Sequence, residues 1–442
     1  MMKLYNSLTK TKEDFVPIDK DHIRIYFCGP TVYNKLHIGN FRAALVGDLL
    51  SKVLKGLYPK VTYVSNITDI DDKIITASSE ANIPINELTN KYYQQYLNDS
   101  SLLGISTPDI QPFATDYIES MIKFIEVLIQ NNAAYEINGN VLFDTTKFTQ
   151  YGILSDRKLE DQIKGSRIKV ESYKKNANDF ILWKPALDAE PGWPSPWGLG
   201  RPGWHLECSV MSQETLSVPF DIHGGGNDLK FPHHDNEIAQ TCGFHGTDDP
   251  QAFAKYWIHN GFLNLQNEKM SKSEGNVIYI DDLLEDYKGN EIRVALLSSH
   301  YRQPLPWNDT LLQQSASIYK KLSSKLERFH DVESKFFPNS DVGRCLMDDL
   351  NTPLALSVFQ DKLSKEDADI DLEVATFKYI FEGSTQDNSL SPEEINIIEN
   401  LIAKRDQARK TGNFEEADKI RDKLDKMKVS IKDIDGKTEW KK

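Results

Sequence analysis

The stretch Phe231-Pro232-His233-His234-Asp235-Asn236-Glu237-Ile238-Ala239-Gln240 sets two imidazoles and two carboxylates close together. His233 and Glu237 stand four positions apart, and His234 and Glu237 three, so either pair shares one helix face. Such a pair can hold a metal, move protons, or simply solvate the start of a polar helix, and taken alone the last is the plainest reading. Two distant cysteines, Cys28 and Cys208, add thiols. Neither has a close cysteine neighbour, so each by itself reads as a small buried hydrophobe, as do Cys242 and Cys345. Cys28 differs in position: it ends a strand, where parallel-sheet enzymes set their ligand-binding residues. A third group, Lys269-Met270-Ser271-Lys272-Ser273, combines ammonium groups with hydroxyls, the equipment phosphate charge requires.

These groups need elements to hold them. Ile23-Arg24-Ile25-Tyr26-Phe27 alternates and stops at Cys28-Gly29-Pro30, which predicts a strand and a turn. Phe41, Ala44, Leu45, Leu49 and Leu50 repeat at helical spacing, so a helix is expected from about His37-Ile38-Gly39-Asn40. After the Gly56/Pro59 break, Val61–Ile67 reads as a second strand. Strand, helix and strand in this order form a βαβ unit, the seed of a parallel nucleotide-binding sheet. From Asp116 to Gln130 the apolar residues lie on one helical face. Asn138-Gly139, between Tyr135–Ile137 and Val141–Phe143, signals a hairpin, so an α+β segment interrupts the sheet. Lys184–Trp204, crowded with Pro, Gly and Trp, reads as an ordered loop. Val218–Ile222 reads as a strand that runs into His223-Gly224-Gly225-Gly226, where glycines let backbone N–H groups approach a ligand. Beyond about Asn308 helix-forming sequence dominates to the end.

The length of 442 residues predicts about two to four domains. A hydrophobic share of 39% and a charged share of 27% are those of a globular protein. No apolar run is long enough to span a membrane, MMKLYNSLTKTKEDF lacks the apolar core of a signal peptide, and scattered cysteines fit a reduced cytoplasm. The net charge of −14 argues against indiscriminate coating of nucleic acid. From Leu401 to Lys442, however, 13 Lys/Arg face 9 Asp/Glu, a local +4 that leaves −18 for the remainder. A basic tail on an acidic body suits selective contact with a polyanion, although an ordinary charged helical hairpin has the same composition.

His37-Ile38-Gly39-Asn40 and Lys269-Met270-Ser271-Lys272-Ser273 resemble the two signatures of class I aminoacyl-tRNA synthetases. Cys28-Gly29-Pro30-Thr31-Val32-Tyr33, Asn66–Lys73, Gly203-Trp204-His205-Leu206-Glu207-Cys208 and Phe231–Gln240 resemble the cysteinyl-tRNA synthetase family in particular, and the likeness extends through Glu415–Asp422 to Trp440. One departure stands out: the first signature normally ends in His, and here it ends in Asn40, which can donate a hydrogen bond but carries no positive charge.

The resemblance implies an α/β fold: a Rossmann-like parallel-sheet catalytic domain with an inserted α+β segment, followed by C-terminal α-helical domains. Residues 1–110 and 201–260 would be the two catalytic halves and 111–200 the inserted connective segment. Residues 261–310 would form the stem-contact region with the Lys269–Ser273 loop, 311–390 a helical bundle and 391–442 an anticodon-binding region. It also implies one zinc ion per chain, held by Cys28, Cys208, His233 and Glu237, that selects the substrate cysteine, with His234 beside it and not a ligand. ATP, with its magnesium, would meet His37, Gly39, Asn40, Lys269, Ser271 and Lys272, of which His37, Lys269 and Lys272 would be catalytic. Trp204 and Asp228 would hold the cysteine, a reading that rests on their closeness in sequence to Cys208 and to Gly224–Gly226. Lys404, Arg405, Arg409 and Lys410 would touch tRNA phosphate, and Trp440 would stack on a base or pack in a core. The expected activity is ligation of L-cysteine to tRNA(Cys) by a cytoplasmic monomer with no membrane partner. Two alternatives remain open: a cysteine:amino-sugar ligase of thiol-cofactor synthesis with the same catalytic head, and a non-catalytic zinc-dependent RNA-binding module.

Overall fold

The computed structural model describes residues 1–156, 173–187, 190–265, 268–269, 277–365 and 370–382. It also describes residues 398, 401–406, 408–409, 413, 417, 419–421, 423–424, 430–434 and 437–441. The chain forms two compact units, Met1–Gly383 and Ser384–Lys442.

The first unit opens with a short antiparallel hairpin, β1 (Lys3–Asn6) and β2 (Thr11–Asp14), and is then built on a parallel sheet. Its strands are β3 (Ile23–Phe27), β4 (Val61–Ser65), β9 (Phe220–Gly226) and β10 (Ala254–Asn260), in the order β10-β9-β3-β4. The apolar residues divide between two cores, by side-chain alternation along β3 and at Tyr63/Val64 and Trp257/Ile258. Ile23, Ile25, Phe27, Tyr63, Ile222 and Ile258 pack with the helix Ile38–Lys55 in one core. Tyr26, Val64, Phe220 and Trp257 pack in the other with the helices Ile118–Gln130, Trp204–Leu216 and Asp235–His245. Both faces are therefore covered, as a parallel sheet requires. Because β4 and β9 flank β3 on opposite sides, the connections diverge there and leave a crevice at the carboxyl ends of β3 and β9. Cys28 and Gly224–Gly226 stand at that crevice.

The inserted segment is a second, antiparallel sheet, β5 (Ala134–Ile137), β6 (Asn140–Phe143), β7 (Phe180–Pro185) and β8 (Gly200–Pro202). The expected Asn138-Gly139 turn is present, with φ of 53° and 77°, the positive angles that favour these two residues. Beyond β10, β11 (Leu263–Leu265) pairs with β12 (Glu268–Lys269) and β13 (Leu305–Trp307). Helices 309–326, 341–347, 352–365 and 370–381 follow. Buried Arg293 locks them to the sheet side: its guanidinium donates to the Ile380 carbonyl at 2.8 Å and to Asp48 of the helix 38–55 at 3.3 Å. Among the described residues no helix is long and apolar enough to cross a membrane.

Four local expectations are corrected. The stretch Phe231–Gln240 is no solvated helix start: every residue from His233 to Gln240 is buried. The glycines after Ile222 belong to β9 itself, pairing with Ile258–Asn260 of β10, and a Cβ at Gly224 would lie 2.1 Å from the Phe27 ring of the neighbouring strand. The ends of the expected loop Lys184–Trp204 pair as β7 and β8, Lys184 opposite Arg201. In the second unit, which has its own small core of Ile398, Ile402, Ile420 and Leu424, the chain does not stay helical. Ser430–Ile434 and Lys437–Lys441 form an antiparallel pair, β14 and β15, separated by Asp435-Gly436, a two-residue hairpin signal that the helical composition obscured.

Candidate active site

Four donors from three elements converge at the carboxyl end of the sheet. Cys28 continues β3 and is held by its N–H to the Gly224 carbonyl at 3.0 Å. Cys208 faces it from the helix Trp204–Leu216, Sγ to Sγ 3.7 Å. His233 and Glu237 come from the turn and helix at 230–245, Nε2 to Oε1 2.9 Å, and Glu237 Oε1 lies 3.7 Å from Cys28 Sγ. One ligand atom from each of the four lies within 4.8 Å of all the others. Two thiolates about 2.3 Å from a tetrahedral ion sit about 3.7–3.8 Å apart, so the cysteine pair has the separation a metal needs. His233, Glu237 and Cys208 are at most 2% exposed, and bare charge at such depth requires compensation.

A second set overlaps the first: Cys28, Glu237, His223 and His234 also bring ligand atoms within 4.8 Å of one another. His234 Nε2 is 3.4 Å from Cys28 Sγ, closer than a mere neighbour, while its Nδ1 is 2.8 Å from His259 Nε2. His223 Nε2 is 2.8 Å from Glu237 Oε2, and its ring stacks on Trp257 with centroids 4.4 Å apart. Glu237 is thus gripped through both oxygens, one by His233 and the other by His223. A ligating carboxylate is commonly oriented by a further partner in this way. His223 lay in plain view before the glycine run, and its pairing with Glu237 could be known only from the fold.

The electrostatics agree. Burial alone would raise the Glu237 carboxyl, but His223 and His233 outweigh it and bring the pKa down to about 2. Burial would likewise lower His233, and the charge of Glu237 raises it instead, to about 10. Burial pushes the Cys28 thiol up. Burial also opposes ionising Cys208, yet the hydrogen bond from Cys28 and the nearby His233 lower it to about 6. The Cys28–Cys208 contact thus favours the thiolate on Cys208, the form a cation binds, and metal binding releases whatever protons the donors hold. His205, with Nδ1 3.0 Å from His233 Nδ1, is lowered to about 3 by burial and by His233, so it stays neutral. Trp204 stacks on His233 at 4.3 Å and is 38% exposed, covering the cluster from the solvent side. Asp228 is exposed near Gly226 at the rim, its Oδ1 2.5 Å from where a Cβ on that glycine would stand.

On the other side of the crevice His37 caps the helix 38–55, and the Asn40 side-chain oxygen accepts from the His37 N–H at 3.1 Å. Asn40 thus closes the first turn, in the manner of a capping box, with Gly39 between. The guanidinium of buried Arg42 donates to the carbonyls of Gly261, Phe262 and Gln303 at 2.8–2.9 Å, which pins that helix start beside the end of β10. Lys269 pairs with Asn264 in β12 and β11. Ser271 and Lys272 lie outside the described residues.

Residues 14–317 match the family model for the catalytic domain of class I (C) tRNA synthetases, and residues 392–440 match the cysteinyl-tRNA ligase anticodon binding domain. The chain is 44% identical to the cysteine–tRNA ligase of Parvibaculum lavamentivorans, over 100% of this chain and 97% of that protein. It is 46% identical to that of Pelagibacter ubique, over 99% and 98%. This chain belongs to the cysteinyl-tRNA ligase family. Solved structures share its fold at low identity. A Mycobacterium tuberculosis methionyl-tRNA synthetase in complex with methionyl-adenylate aligns with a TM-score of 0.58 at 14% identity, over 82% of this chain and 89% of that one. An Agrobacterium radiobacter LeuRS ternary complex aligns at 0.56 and 10%, over 83% and 84%.

Within this ligase the second unit carries the residues expected to meet tRNA, and they divide. Lys404 and Arg409 are exposed, whereas Arg405 is 5% exposed, with Nη1 3.0 Å from Thr438 Oγ1 and 3.4 Å from Asp406. Arg405 is therefore a buried tie from the helical segment 401–406 to β15, not an open phosphate contact. Trp440 pairs through its backbone with Ile431, and Lys410 lies outside the described residues. Two buried partners of the signatures were missed from sequence. Glu207 Oε2 accepts from Thr68 Oγ1 at 2.8 Å, and Asn66 Oδ1 accepts from the Gly29 N–H at 2.9 Å and lies 3.7 Å from Cys208 Sγ.

Proposed function

We propose that this chain is a cysteine–tRNA ligase that activates L-cysteine with ATP and transfers it to tRNA(Cys), with a zinc ion held by Cys28, Cys208, His233 and Glu237. The observation that carries the reading is the convergence of those four donors in a chain of this family. When bound, zinc supplies a Lewis acid that takes the substrate thiol as thiolate and meets a serine hydroxyl as a poorer, harder ligand. A pocket working by shape alone separates such near-isosteres only about 10²-fold.

The residues around the donors have distinct work. His223 holds Glu237 ionised and oriented, Trp204 and Asp228 bound the pocket for the amino acid, and His234 stays neutral beside Cys28. In the first step the cysteine carboxylate attacks the ATP α-phosphorus in line, giving cysteinyl-adenylate and pyrophosphate. The nucleophile is already an anion, so positioning and charge stabilisation do the work. His37 and Gly39 present the helix N-terminus to the phosphates, with Asn40 holding that turn. Lys269, Ser271 and Lys272 follow the leaving pyrophosphate, and magnesium arrives with ATP. In the second step the terminal ribose hydroxyl of tRNA attacks the activated carbonyl. Arg409 and Lys410 would meet backbone phosphate, and Trp440 an unpaired base. The four free cysteines support a reducing compartment, and we read the chain as a cytoplasmic monomer.

The anticodon-domain match over residues 392–440 favours tRNA over an amino sugar as acceptor. ATP–pyrophosphate exchange tests the activation step: exchange is expected with cysteine and not with serine, and an absence of cysteine-dependent exchange sinks the reading. Charging of tRNA(Cys) follows, and exchange without charging would point to the amino-sugar ligase.

A further inference from the structure

Immediately beyond the Lys269–Ser273 signature, Ile278–Asp281 lies against the residues that lead into the His37–Asn40 signature. The Ile38 N–H donates to the Ile278 carbonyl at 2.9 Å, and His37 and Tyr279 form an antiparallel bridge. Beside this pairing the Lys35 ammonium forms an ion pair with the Asp281 carboxylate and lies 5.8 Å from the centre of the Tyr279 ring. The hydrogen bond from Lys35 holds the Asp281 carboxyl below its usual range, and Asp282 and Asp99 add weaker attraction on the lysine. On the other flank of the signature, β12 is fixed to β11 through Asn264 and Lys269. Among the described residues the His37–Tyr279 bridge and the Ile38–Ile278 hydrogen bond join these segments, and a charge pair beside them restrains sliding of one along the other.

We propose that Lys35 and Asp281 form a positioning pair, which registers the Ile278–Asp281 segment, downstream of the Lys269–Ser273 signature, on the N-terminus of the helix 38–55 during ATP activation. The proposal rests on the ligase reading above and concerns only its first step. Neither residue touches the reacting atoms; they act through the backbone of His37, Ile38, Ile278 and Tyr279. Removing Lys35 takes the one cation away from the attraction of Asp281, Asp282 and Asp99, whereas removing the Asp281 charge leaves the lysine two of these acids, so the lysine variant is the more damaging.

A double-mutant cycle tests it, using the full chain with its metal. Lys35→Met and Asp281→Asn should each lower kcat of cysteine-dependent exchange about two- to fivefold, the range of a half-exposed ion pair. The KM for cysteine, the metal content and the melting temperature should stay those of the wild type. The double variant should be no slower than Lys35→Met alone, and the gap to wild type should narrow in 0.5 M KCl, where the Debye length falls to about 4 Å. Unchanged kcat in both single variants overturns the proposal, as do losses that multiply in the double variant. A wild-type chain that exchanges pyrophosphate with another amino acid overturns the cysteine reading, and the same cycle then scores the pair on that substrate. Exchange with no amino acid overturns both.

Discussion

The two sides of the crevice are built on opposite terms. On the thiol side, Cys208, His233 and Glu237 are at most 2% exposed, and each is held by a neighbour inside the core. On the nucleotide side, Lys35 and Asp281 keep 44% and 45% of their side-chain surface in water, and Asn40 is half-buried at a helix start. The difference follows from the chemistry. Separating a thiol from a hydroxyl is a one-atom problem, and donors answer it only when water no longer competes and their geometry precedes the substrate. A polyphosphate arrives hydrated, highly charged and with its own cation, so groups in contact with water can meet it and release it. The cost of gathering charge is met in folding on the first side and during the reaction on the second.

The comparison breaks most decisively at Cys208. Cys208→Ser should reduce bound zinc from one per chain to near none, since a neutral hydroxyl replaces a thiolate. Its preference for cysteine over serine should fall to about 10²-fold or below. Metal analysis beside exchange with both amino acids reads this, and a variant with full metal and unchanged preference would remove Cys208 from the ligand set. Lys272→Ala probes the other side: kcat of exchange should drop about 10²–10³-fold, the usual loss for one transition-state donor, while metal content stays that of wild type. Any fall in zinc would mean that the two sides are not independent.

His223→Ala sharpens the thiol side, because it spares all four ligands and removes only the partner that orients Glu237. A loss of about 10–100-fold in metal affinity is expected, read by competition with a chelator, and an unchanged affinity would make His223 a packing residue. The smallest effect belongs to the rim of the inserted sheet, where Arg201 is 4% exposed and binds Asp72 at 2.7 Å. Burial raises the Asp72 carboxyl, but Arg201 and Lys184 outweigh it, and the net shift is downward. The stabilisation is therefore present above the unfolded carboxyl pKa and is lost as the pH falls through the lower folded value. Asp72→Asn should melt about 1–2 °C below wild type at pH 7, with the gap closing below about pH 4. A gap that persists at pH 3 would assign the effect to packing.

Much of this arrangement can be read from residue order. The β3–helix–β4 unit follows from alternation and then helical spacing, and the Asn138-Gly139 turn from its demand for positive φ. The helical repeat put either His233 or His234 beside Glu237, and only the family resemblance singled out His233. What escaped has a common cause. His223 was visible at the head of the glycine run, but its role depends on a carboxylate reaching it from another element. Gly224 read as ligand-facing backbone after the strand because the Phe27 ring that excludes a side chain there comes from a strand nearly two hundred positions away. Arg405 read as a surface cation because composition does not report that a helix turns its arginine inward to Thr438.

By itself, then, the sequence determined the β3–helix–β4 unit, the Asn138-Gly139 hairpin, the donor types and the two signatures, since helical and strand periodicity, turn chemistry and side-chain chemistry are local properties. Only the tertiary structure decided which donors meet. The crossover between β3 and β9 brings Cys28 and Cys208 from 180 positions apart to 3.7 Å, and burial at that meeting point changes the charge each group carries. Long-range packing sets both the distance and the dielectric, and neither is encoded in any one stretch of chain.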